Sequence, residues 1–289
     1  MSTTIASTPP LDLLIATDFS DAAYQAALRA ALLCQEGSAR QASLLHIIER
    51  SFWRRPTPAD GRSAQQQLQE LTDRLQARTG LLFPGQIRQG RLRPSLVTES
   101  ARHDLLLLGA RGSHPLQDHL IGATAEQVVH RGTQPLLMVY DSPRKAYQRV
   151  LVAIDFSPTA AANLRLARRL APTAPVHLMH CCQAPFEKKM LSRGLSSEAI
   201  GALRNRARYE AENQMKAFLD SLDPDAPLLD YSIEPEGGIV TNLRRKTREI
   251  GADLLVVGHP KPHLAERLLR GSVTVQLLDQ APCDILVCP

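Results

Sequence analysis

The chain carries one pattern twice. Leu13-Leu14-Ile15-Ala16-Thr17-Asp18-Phe19-Ser20 returns as Val150-Leu151-Val152-Ala153-Ile154-Asp155-Phe156-Ser157. Asp104-Leu105-Leu106-Leu107-Leu108-Gly109 returns as Asp253-Leu254-Leu255-Val256-Val257-Gly258, and Gln134-Pro135-Leu136-Leu137-Met138-Val139 as Ala281-Pro282-Cys283-Asp284-Ile285-Leu286-Val287. A repeat of roughly 140 residues is domain-sized, far longer than the ~20–50 residues of a solenoid unit. Two copies of one domain are therefore expected, over 1–143 and 149–289, joined by the short polar linker Asp141–Ala146.

Within each copy, apolar runs of strand length alternate with helical patterns. In the first half the pattern predicts strands at Leu11–Thr17, Ser43–Ile48, Gln86–Arg88, Leu105–Leu108 and Leu136–Tyr140. Between them it predicts helices at Asp21–Cys34, Gly61–Arg78, Pro94–Arg102 and Thr124–Arg131, the first capped by Ser20 or Asp21. In the second half strands are expected at 149–154, 176–181, 228–233, 254–257 and 284–288, and helices at 158–170, 196–221, 239–250 and 273–280. Continuous apolar strands point to burial on both faces of a parallel sheet. The expected fold class is α/β: two tandem, doubly wound, five-stranded parallel-sheet domains packed as a pseudo-dimer.

Composition narrows the function. The net charge of +5 is dispersed over helical patterns with acidic neighbours, as in Arg204-Asn205-Arg206-Ala207-Arg208. No basic run is interleaved with aromatics, which argues against nucleic acid as a partner. No stretch reaches the roughly 20 apolar residues of a membrane span, and Met1–Thr8 lacks a signal-peptide pattern. Five cysteines without framework spacing fit a reducing, cytoplasmic setting.

Ligands of open parallel sheets bind beyond the strand C-termini where strand order reverses. Asp18 and Asp155 follow the first strand of each half, and Gly109 and Gly258 end the fourth. Gly109-Ala110-Arg111-Gly112 is followed by Gly122-Ala123-Thr124-Ala125 at a predicted helix start. Glycines admit a phosphate close to the backbone, and a helix N-terminus offers free N–H groups. The spacing from Gly109 to Gly122 is repeated from Gly258 to Gly271. Each aspartate is also compatible with a plain turn or cap, and each glycine with a tight turn.

Asp18-Phe19-Ser20, the spaced glycines and Gly271-Ser272-Val273-Thr274 together resemble the universal stress protein family in tandem form. The resemblance covers nearly the whole chain. It implies a Rossmann-like fold of the adenine nucleotide alpha-hydrolase type, cytoplasmic stress response, and ATP or AMP as ligand with Mg²⁺. Carried over by motif, the first-half pocket is Ala16, Thr17, Asp18, Ile47, Leu108, Gly109, Gly112, Gly122 and Ala123. The second-half pocket is Ala153, Ile154, Asp155, Cys181, Val257, Gly258, Gly271, Ser272 and Thr274.

Both copies depart from the family pattern. Ala123 and Ala125 replace small hydroxyl residues. A neutral hydrogen bond nets about 1 kcal/mol, so losing one or two weakens binding by roughly 10- to 100-fold. Lys261 stands where the second-half loop should carry its second glycine, between Pro260 and Pro262. The first half therefore keeps more of the pattern. Two readings follow: a nucleotide-binding regulator, or a tandem scaffold working through protein partners, a second copy or a non-nucleotide ligand.

Catalytic and metal constellations do not form. Cys181 and Cys182 are adjacent on a strand, and Cys283 and Cys288 are an odd number apart, so neither pair shares a face. His46 and His180, in matching places on the second strands, read as polar residues of the pocket rim. No P-loop and no Gly-x-Ser-x-Gly turn is present. The expectation is a binding protein, without catalytic residues and without a metal site.

Overall fold

The computed structural model describes residues 9–50, 56–110, 127–129, 131–182, 196–222, 229–234, 238–259 and 273–289. The first half runs β1 (Leu11–Ala16), α1 (Asp21–Gln35), β2 (Ala39–Glu49), α2 (Pro58–Thr79), β3 (Gly85–Gly90), α3 (Leu92–Ser100), β4 (Leu105–Gly109) and β5 (Leu136–Val139). The second runs β6 (Val150–Ala153), α4 (Ala160–Leu170), β7 (Val176–Cys181), α5 (Ser197–Asp220), β8 (Asp230–Glu234), α6 (Ile239–Ile250), β9 (Leu254–Gly258), α7 (Val273–Asp279) and β10 (Asp284–Cys288). The helix expected at Thr124–Arg131 is helical at 127–129 and 131, and its start lies outside the described residues.

Local chemistry sets several boundaries. Pro58 opens α2 behind a reciprocal cap between Thr57 and Asp60, three residues earlier than the predicted Gly61. Gly80 closes it in a left-handed conformation, with φ of 72°. Strand β2 starts at Ala39 rather than Ser43 because Arg40 and Gln41, which hide it from a hydrophobicity reading, bind Asp12 on β1.

The ten strands form one sheet, in the order β3-β2-β1-β4-β5-β10-β9-β6-β7-β8. Each half is internally parallel, and β5 and β10 join the halves antiparallel. The pseudo-dimer is therefore built edge to edge. Met138 pairs with Ile285 across this seam. Both stand three residues after the repeated proline, so the pseudo-two-fold axis passes through that pair.

Alternation divides the strands between two cores. Leu13, Ile15, Leu107 and Leu286 pack with α1, α2, α4 and α5 on one face. Leu14, Leu106, Leu108, Leu255 and Ile285 pack with α3, α6 and α7 on the other. Burial on both faces is what the continuous apolar runs require. The cysteine expectation holds in the same way: Cys283 belongs to the second core and Cys288 to the first.

Candidate functional site

Strand order reverses between β1 and β4, and again between β6 and β9. These two switch points lie at strand C-termini, where an open parallel sheet presents loops to a ligand. The aspartate loops occupy both.

The first loop leaves β1 with the Thr17 amide donating to the Leu45 carbonyl at 2.9 Å. Phe19 adopts a φ of 65°, in the left-handed region that side chains disfavour. Its amide donates to Thr17 Oγ1 at 3.0 Å, and the Ser20 amide donates to Asp18 Oδ1 at 3.1 Å. Ser20 then caps α1, its hydroxyl accepting from the Ala23 amide. The second loop repeats the backbone. The Ile154 amide donates to Met179 at 2.8 Å, Phe156 has a φ of 55°, and Ser157 donates to Asp155 Oδ1 at 3.0 Å. Neither aspartate is a helix cap: Ser20 precedes α1, and Thr159, which makes no side-chain cap bond, precedes α4.

Each loop rests on a histidine of the neighbouring strand. The Phe19 and His46 rings stack at 4.3 Å, and those of Phe156 and His180 lie at 4.4 Å. His46 Nδ1 is 2.9 Å from the Thr17 carbonyl oxygen, and His180 Nδ1 is 2.7 Å from that of Ile154. The histidines therefore lie beneath the loops, and His46 also lines a cavity there. This pairing escaped the motif reading, although both copies repeat the phenylalanine after aspartate and the histidine on the second strand.

The two strand-end glycines differ. A Cβ on Gly109 would stand 2.7 Å from the Ala23 nitrogen and nearer still to the Ala22 carbonyl, so close packing of α1 against β4 accounts for this glycine. Among the described residues, a Cβ on Gly258 would meet only side chains, 3.1 Å from Asn163 Nδ2 and 3.8 Å from Asp155 Oδ2. The absence of a side chain at Gly258 thus lets an amide donor and a carboxylate approach the end of β9. Asn163 occupies the position matching Ala26 of the first half, which motif reading had no reason to single out.

The other carried-over positions fall into three groups. Ala16 and Ala153 sit half-buried at strand ends, next to buried Thr17 and Ile154. Ile47, Leu108 and Val257 are core side chains of the second cluster, with Cys181 packed against it. Burial pushes the Cys181 thiol up to about 11, with Glu234 adding to the effect. Thr274 is buried in the first turn of α7, its hydroxyl 3.4 Å from His259 Nδ1. Gly112, Gly122, Ala123, Gly271 and Ser272, together with Lys261, lie outside the described residues.

Two cavities flank the first switch point. One, of about 370 Å³, lies between the end of β2 and the start of α2, against Phe19, His46, Ile47 and Asp60. The other, of about 620 Å³, lies between the start of α1 and the end of β5, against Ser20, Asp21, Ala110 and Tyr140. Of the carried-over positions among the described residues, only Ile47 lines either. Among the described residues no group of three or more His, Cys, Asp or Glu side chains is placed to hold a metal ion, and no helix is long and apolar enough to cross a membrane.

A universal stress protein from Archaeoglobus fulgidus superposes on 96% of this chain and 97% of its own, with a TM-score of 0.69 and 18% identity. A putative universal stress protein from Pseudomonas aeruginosa superposes on 96% of this chain and 92% of its own, with a TM-score of 0.57 and 16% identity. Likeness at such identities speaks for the fold. No curated protein matches the chain in sequence. The sequence profile of the universal stress protein family matches residues 12–140 and again residues 146–289, and with both halves matched the chain belongs to the universal stress protein family.

Proposed function

We propose that the protein is a regulatory adenine-nucleotide binder, taking ATP or AMP at the strand ends of its second half. One observation carries this reading. The Asp155 carboxylate and the Asn163 amide nitrogen meet beside Gly258 at the β6/β9 switch point, 3.8 and 3.1 Å from where a Cβ would stand. A carboxylate and an amide side by side suit a ligand that both donates and accepts hydrogen bonds, as ribose hydroxyls and an adenine edge do. Mg²⁺ would then come with the phosphates, since the described residues offer it no cluster of ligands.

The first half supports the scaffold reading more readily, because the α1 backbone already occupies the space beside Gly109. Unequal halves therefore predict one nucleotide per chain. Calorimetry with ATP and AMP, each with Mg²⁺, tests both readings on the parent protein and on Gly258→Val and Asp155→Asn. Expected are one site per chain and an affinity at least about tenfold weaker in either variant, the loss of roughly 1.4 kcal/mol of contacts. No heat from either nucleotide in a folded sample overturns the proposal and leaves the scaffold.

A further inference from the structure

The two aspartate loops keep one shape although their helices begin differently. Helix α1 starts at Asp21 behind a Ser20 cap, whereas α4 starts at Ala160 behind a Thr159 that makes no cap bond. Even so, the phenylalanines share positive φ values of 65° and 55°, and the aspartates accept from the serine amide at 3.1 and 3.0 Å. The helix start cannot be what imposes this common shape.

A histidine under each loop is common to both. A carbonyl oxygen only accepts, so Nδ1 must carry the hydrogen in both rings. Each imidazole therefore grips the loop on both sides of its aspartate. It holds the carbonyl of the residue before, Thr17 or Ile154, and the ring of the residue after, Phe19 or Phe156. A left-handed aromatic residue is an unfavourable conformation that persists only where surrounding contacts over-determine it.

We propose that His46 and His180 are positioning residues, which clamp the aspartate loops and aim Asp18 and Asp155 at the switch points. The result is visible in the second half, where Asp155 Oδ1 turns back to Ser157 while Oδ2 faces Gly258. The value of the clamp for ligand affinity rests on the nucleotide reading. The clamp itself does not.

The test compares His180→Asn with His180→Gln, and His46→Asn with His46→Gln. An asparagine amide nitrogen can take the place of Nδ1 and still donate to the carbonyl, whereas glutamine reaches the Nε2 position instead. In the parent, long-range ¹⁵N spectra should show both rings protonated at Nδ1 when neutral. The asparagine variants keep the carbonyl bond but lose the ring stack, so they should move the amide shifts of the aspartate loop only in part. The glutamine variants should move them further, and His180→Gln should weaken ATP binding by about tenfold relative to His180→Asn. Phe156→Gly should also displace the loop, although glycine itself prefers its φ.

Rings protonated at Nε2, or loop shifts unchanged in the glutamine variants, overturn the proposal, as does equal displacement by asparagine and glutamine. If the parent binds no nucleotide, the proposed function fails alone, because the tautomer and the loop shifts still decide the clamp. Should one glutamine variant not fold, the pair in the other half and the parent's tautomers give the answer.

Discussion

Arg29 and Asp284, 255 positions apart, form a buried ion pair with Nε 3.1 Å from Oδ2. Arg29 lies on α1 of the first half and Asp284 on β10 of the second. The residues at matching places in the repeat are Leu166 and Leu137. The carboxylate also accepts from the Tyr140 amide and the Tyr147 hydroxyl, each at 2.8 Å, and the guanidinium donates to the Lys145 carbonyl at 2.9 Å. The linker is thus tied to both halves through one polar cluster, on one side only of the pseudo-axis.

Removing one partner should cost far more than the pair contributes. Asp284→Leu leaves a buried guanidinium uncompensated, with an expected loss of about 3–5 kcal/mol. The double variant Arg29→Leu/Asp284→Leu restores the apolar pair of the other copy and should cost less than the two single changes added. It still leaves the Tyr147 hydroxyl and the Tyr140 amide without their acceptor, about 1–3 kcal/mol. A double-mutant cycle by urea unfolding measures the coupling, and strict additivity would refute it.

The two strand-end glycines should respond unequally to one methyl group. Gly109→Ala drives Cβ into the α1 backbone at Ala22 and Ala23, an overpacking of about 1–3 kcal/mol. Gly258→Ala asks only that the Asn163 amide shift by a few tenths of an ångström, at a cost below about 1 kcal/mol. Melting temperatures of the two variants decide this, and equal losses would contradict the packing difference.

His177 makes the fold sensitive to acid. Burial, with the Lys246 ammonium adding to it, lowers its pKa below the ordinary value of about 6.5. The unfolded chain therefore takes up the proton first, and stability falls as pH drops through the window just below about 6.5. Above that value the contribution is level. His177→Gln should flatten this part of the profile while keeping a donor near the Ser232 hydroxyl, which is 3.0 Å from Nε2. Urea midpoints between about pH 5 and pH 7.5 provide the comparison.

Thiol labelling should divide the five free cysteines. Cys283 and Cys288 are buried, and burial pushes both thiols up, Cys288 to about 12. Only the thiolate reacts, so a maleimide near neutral pH should reach Cys34 or Cys181 well before these two. Mass mapping of native and denatured protein checks the order, and early modification of Cys283 would contradict the buried β10 seam.

The sequence alone determined what depends on neighbours along the chain. Apolar runs with an alternating partition placed the strands, and the doubled Asp-Phe-Ser and strand-end glycines placed the switch points. Its misses are local in origin as well: Arg40 and Gln41 concealed the start of β2, and the Thr57–Asp60 cap lay outside the hydrophobic pattern that sets α2. Only the tertiary structure decided that β5 and β10 fuse the halves into one sheet, that α1 fills the space beside Gly109, and that Arg29 meets Asp284. The reason is physical. Periodicity and capping act within a few residues, whereas these contacts join segments far apart in sequence, and their energy comes from close packing and from burial of a charge that must find its partner.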